Sequence, residues 1–156
     1  MVKRLSQDAR RSVLTAAADE ARRRGDRRLG TDHLLLGILH DPTSGPARAL
    51  GVDLESARAA EDALDRAALA AIGIDAGGLG PVEDSGAGSR RLPPLTSGAR
   101  TVFKRAIDQA RPRKSGRIET RHFLLALLGC ERPDPAAELL HELGIDPAVV
   151  RDRLTG

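Results

Sequence analysis

A chain of 156 residues carrying 25 Lys and Arg against 22 Asp and Glu, for a formal net charge of +3, suits one compact domain. With Phe103 and Phe123 as its sole aromatics its core must be aliphatic, and no apolar run approaches the roughly eighteen residues that read as a membrane-crossing helix. A lone Cys130 excludes an internal disulfide, and the absence of an apolar leader after Met1 makes the cytoplasm the expected location.

The chain then says nearly the same thing twice. Ser6, with Asp8 in the turn that follows, starts an expected helix over about residues 6–24, with Ala9, Val13, Ala16, Ala17 and Ala21 on one face and Gly25 as its stop. Thr31 is the expected cap of a second helix whose stripe of Leu34, Leu35, Ile38 and Leu39 belongs to the core and which Asp41-Pro42 ends. A short helix is expected around Pro46 to Leu50, and a longer Ala-rich one from near Asp53 to before Gly73. Residues 73–94, rich in Gly and Pro, read as a mobile linker.

The order then returns. Leu95-Thr96-Ser97-Gly98-Ala99-Arg100 echoes Leu5-Ser6-Gln7-Asp8-Ala9-Arg10, and Glu119-Thr120-Arg121-His122 echoes Gly30-Thr31-Asp32-His33, each running into a Leu-rich helix. Leu143-Gly144-Ile145-Asp146 likewise repeats Leu50-Gly51-Val52-Asp53. Thr96 and Thr120 are the expected caps, and two short helices finish the chain. The fold class is therefore all-α: a single domain over 1–156 of about eight helices in two tandem pseudo-symmetric four-helix repeats, 1–72 and 95–156.

The doubled pattern resembles the Clp repeat, the paired helical unit that forms the amino-terminal domain of Clp-type protein-unfolding ATPases. The family's Phe-Thr-x-x-Ala-Arg start and its later Gly-Thr-Glu-His-Leu-Leu-Leu-Gly stretch are matched twice and in register. No Gly-x-x-x-x-Gly-Lys-Ser/Thr phosphate loop is present in the sequence, so the resemblance implies the binding module without the nucleotide chemistry, and no enzyme. It implies recognition of substrate or adaptor segments and, as in some bacterial members, of phosphorylated arginine, in the role of adaptor or decoy for a Clp ATPase.

Carried onto this sequence, the family's hydroxyl for the phosphate and acid for the guanidinium fall on Ser6 and Asp32 in the first copy and on Thr96 and Arg121 in the second. A helix start offers free N–H groups to a phosphate, and a carboxylate pairs with a guanidinium. Arg121 would repel a guanidinium, so the second site should be weak or repurposed. Helix capping alone also accounts for Ser6 and Asp32. Leu5 and Leu95 replace the family's Phe, and the extra Ile72-Gly73-Ile74-Asp75 points to an insertion or a rebuilt fourth helix in the first copy.

Other constellations have plainer explanations. His33 and His122 sit at equivalent helix starts, where backbone can satisfy a ring nitrogen, and with His40, His141 and Cys130 they form no recognisable ligand spacing, so no metal and no cofactor is expected. Cys130 lacks an orienting base and reads as a bystander thiol. The basic stretches Arg22-Arg23-Arg24 with Arg27-Arg28, and Arg111, Arg113, Lys114 and Arg117, leave a nucleic-acid-associated regulator as the alternative. Without interleaved aromatics, a solvated or protein-facing surface is preferred.

Overall fold

The computed structural model describes residues 2–73, 92–110 and 118–155, with side chains from residue 11 onward. Most of the expected linker and all of the second basic stretch, 111–117, lie outside the described residues. Eight helices are described: α1 Val2–Arg23, α2 Thr31–Leu39, α3 Gly45–Leu50, α4 Leu54–Ala71, α5 Ser97–Ala110, α6 Thr120–Leu128, α7 Pro135–Glu142 and α8 Pro147–Thr155. They fall into two runs of four, as the repeat requires.

The Leu-rich helices α2 and α6 form the centre. Leu34, Leu35, Leu36, Leu124 and Leu127, with Phe123, are 0 % exposed, each aliphatic side chain contributing about 2 kcal/mol of transfer free energy. Because α2 touches α1, α3, α4, α5, α6 and α7, every residue of it except Asp32 is buried. The α1–α2 contact is unusually close: a Cβ at Gly37 would stand 2.7 Å from the Val13 carbonyl oxygen and 3.1 Å from the Ala17 nitrogen. The equivalent position in α6 is Ala126, and between α5 and α6 Phe103 packs against Phe123, edge to face with centroids 5.0 Å apart.

The halves join through backbone as well as side chains. Leu29 N–H donates to Pro94 O at 2.9 Å and Thr96 N–H to Leu29 O at 3.0 Å, so the segments leading into α2 and α5 run side by side. Thr96 caps α5 as expected, accepting from Ala99 N–H at 3.1 Å, and Asp53 caps α4 at 2.7 Å through Ser56 N–H.

Three expected caps are corrected. The α1 helix begins at Val2, so Ser6 lies inside it rather than at its start, and the Ser6 side chain lies outside the described residues. Thr31 and Thr120 are the first helical residues of α2 and α6, behind Gly30 and Glu119 as the true caps. Thr31 does cap a helix, but across the repeat: its hydroxyl donates to Asp134 Oδ1 at 2.7 Å and accepts from Ala136 N–H of α7 at 3.1 Å. The fourth helix of the first repeat, α4, has 18 residues, and α8 has 9.

Candidate functional site

The Thr-x-His pattern has a local cause. His33 Nδ1 accepts from Gly30 N–H at 2.9 Å and His122 Nδ1 accepts from Glu119 N–H at 2.8 Å, so each ring satisfies an orphan donor at its helix start. Both rings are buried. With Nδ1 accepting, the His33 proton sits on Nε2 and is donated to Asp26 Oδ2 at 2.7 Å. These histidines are helix-start braces, as the sequence reading preferred.

Asp32 stands on the outer side of that helix start, with 18 % of its side chain exposed. Gly30 makes room for it: a Cβ there would lie 2.7 Å from Asp32 Oδ1 and 3.8 Å from Thr96 Cγ2. Thr96 of the second repeat thus flanks the same Gly30 position as Asp32 of the first, with its methyl group toward it. The parallel run at Leu29 and Leu95 brings the starts of α2 and α5 together. Gly98 continues the same floor, its Cβ position lying 3.1 Å from Asp134 Oδ2 at the start of α7. Three helix N-termini thus converge around Gly30, Thr96 and Asp134.

Behind Asp32 lies an acidic pocket that the sequence did not announce. Glu61 of α4 is 4 % exposed, and among the described residues no hydrogen-bond donor reaches either of its oxygens and its cationic neighbour is Arg24, Nε to Oε1 at 3.4 Å. Burial first, then the Asp32 carboxylate beside it, push the Glu61 carboxyl up to about 9, against the pull of Arg24. Glu61 is therefore the acid of this cluster that burial and a neighbouring charge favour in its protonated form. Asp26, although burial opposes it, is held below its ordinary value by the His33 hydrogen bond and by Arg24. Arg24 also pairs with Asp62 and Asp65, so carboxyl groups outnumber cations here.

Asp32, His33 and Glu61 each place a donor atom within 4.8 Å of the others, which is metal-like spacing. The donor set does not fit a resident ion. Both His33 nitrogens are already engaged, and the Arg24 guanidinium stands where it would repel a cation.

In the second repeat the charges are exchanged. Arg121 takes the place of Asp32, and Glu119 takes the place of Gly30, with Arg121 Nε 3.3 Å from Glu119 Oε2. Glu119 therefore balances the Arg121 charge at this helix start. Arg121 Nε and Nη2 are shielded from water without a hydrogen-bond partner.

The first basic stretch is largely spent on acids: Arg22 on Asp19 at 3.3 Å, Arg23 near Glu20 at 3.9 Å, and Arg24 in the pocket above. Cys130 is half-buried, and burial, then Asp134, push its thiol up to about 11, which keeps it unreactive.

Residues 94–156 match the family model described as the Clp repeat (R) N-terminal domain. Over 145 residues, 91 % of this chain, the sequence is 28 % identical to chaperone protein ClpC1, chloroplastic, of Arabidopsis thaliana, and 29 % identical to the ATP-dependent Clp protease ATP-binding subunit ClpA homolog of Cyanidium caldarium. The chain spans only 14 % and 15 % of those proteins. Its fold is similar to the crystal structure of the N-terminal domain of the chaperone ClpD from Arabidopsis thaliana, at a TM-score of 0.66 and 20 % identity, over 100 % of this chain and 98 % of that one.

Proposed function

We propose that this chain, which carries the Clp repeat in the fold of a Clp N-terminal domain, is a non-catalytic protein-binding module that recognises substrate or adaptor segments of a Clp-type ATPase. Its ligand group is an arginine side chain, above all a phosphorylated one. The observation that carries this reading is the partly exposed Asp32 carboxylate, set in an acid-rich cluster where the starts of α2 and α5 lie side by side. A guanidinium pairs with Asp32, and the phosphate faces unpaired N–H groups at a helix start. Working as an adaptor or as a decoy for the ATPase, the module needs no bond-making step of its own.

Calorimetric titration with free phosphoarginine tests the reading. Binding in the parent should be lost in Asp32→Ala and weakened about tenfold in Thr96→Val, which keeps the shape but removes the hydroxyl. Absence of heat in the parent, or unchanged binding in Asp32→Ala, would overturn it.

A further inference from the structure

The internal repeat provides its own template for a second site. In the first half Glu20 of α1 is 1 % exposed and is held by Arg58 of α4, Nη2 to Oε1 at 2.5 Å, and by His40 Nε2 at 2.8 Å. The register of the halves is fixed by their buried faces. Val13, Ala17 and Ala21 correspond to Val102, Ala106 and Ala110, while the capping Asp53 with buried Ala57 corresponds to Asp146 with buried Val150. On that register Glu20 becomes Gln109, His40 becomes Gly129, Arg58 remains as Arg151, and Ala16 becomes Arg105.

The second half has thus kept the arginine, gained another, and lost the acid. Losing the imidazole as well leaves a cleft of about 440 Å³ between α5, α6 and α8, lined by Arg105, Gln109, Leu125, Gly129, Arg151 and Thr155. Among the described residues neither Arg105 nor Arg151 makes an ion pair. Two guanidinium groups over an apolar floor, at the place where the sister repeat seats a carboxylate, are complementary to one from outside.

We propose that this cleft binds an acidic side chain of a protein segment, the partner's carboxylate standing where Glu20 stands in the first repeat. Leu125 and Ala126 receive the apolar stem, and Arg151 and Arg105 the charge. The site is separate from the Asp32 pocket and selects the opposite charge, so one segment bearing both signs could engage both.

Amide NMR titration with acetyl-Ala-Leu-Glu-Glu-Leu-Ala-amide tests the proposal. Shifts should centre on Gln109, Gly129, Arg151 and Thr155, and the Gln-for-Glu peptide should bind at least tenfold more weakly. Arg151→Gln should cause a similar loss. Gln109→Glu, which returns the internal carboxylate to Arg151, should close the cleft to the peptide and leave the Asp32 site unchanged. Equal binding of the two peptides, or full binding by Gln109→Glu, would overturn the proposal. So would succinate matching the peptide's affinity, which would assign the cleft to free anions, or a single-stranded oligonucleotide binding there more tightly than the peptide.

Discussion

Glu61→Gln should make the stability of this protein almost independent of pH where the parent's declines. The parent carboxyl, held at about 9 in the fold, keeps its proton after the unfolded chain has released its own near the ordinary value of 4.5. Unfolding then releases one proton, and because the folded state binds more protons, stability falls as pH rises, by about 1.4 kcal/mol per unit between those two values. From about pH 5 to about pH 8 this gives an upper limit of about 4 kcal/mol for this single group. Glu20 and Asp26 act outside that window: both are held below their ordinary values, so their contribution is lost only as pH falls below about 4.5 and through the folded values. Urea unfolding followed by far-ultraviolet circular dichroism, at several pH values for parent and variant, reads the slope directly. Parallel curves for the two proteins, or a variant less stable than the parent at about pH 8, would refute the placement of a protonated carboxyl beside Asp32.

Thr31→Val removes the hydroxyl that ties α2 to Asp134 and Ala136 across the repeats and should cost about 1–2 kcal/mol in urea unfolding. Gly37→Ala forces a methyl group to within 2.7 Å of the Val13 carbonyl and should cost about 2 kcal/mol, measured the same way, whereas Ala126→Gly at the equivalent place should cost about 1 kcal/mol through helix propensity. Glu20→Gln leaves Arg58 and His40 without their shared buried acid and should lower stability by about 3 kcal/mol, seen as a fall in thermal midpoint.

The helical architecture was legible because it rests on periodicity and on punctuation that local chemistry enforces. Leu34, Leu35 and Ile38 can form one stripe only on a helix, Asp41-Pro42 can only end it, and a second copy of the pattern removes coincidence. The caps were half legible. Thr31 and Thr120 marked their helix starts to within a residue whereas Ser6 lies four residues inside α1, and at Thr31 that one residue decides whether the side chain serves its own helix or α7. The site was legible as residue types but not as pairings. Thr96 comes to the same helix start as Asp32 because the segments at Leu29 and Leu95 lie side by side, a tertiary fact with no local signature. Glu61 carried a signal in principle, an acid four residues after buried Ala57 on the inward face of α4. Glu119 was in plain view as the counterpart of Gly30, and its pairing with Arg121 becomes visible only when the two helix starts are compared position by position.

The most direct test of the central claim is an amide NMR titration of the parent with phosphoarginine. If the two repeats build one site crosswise, the amides of Gly30 to His33 and those of Thr96 to Ala99 should shift together along a single binding curve and stop responding together in Asp32→Ala. Shifts confined to one repeat, or two groups titrating with separate affinities, would contradict it.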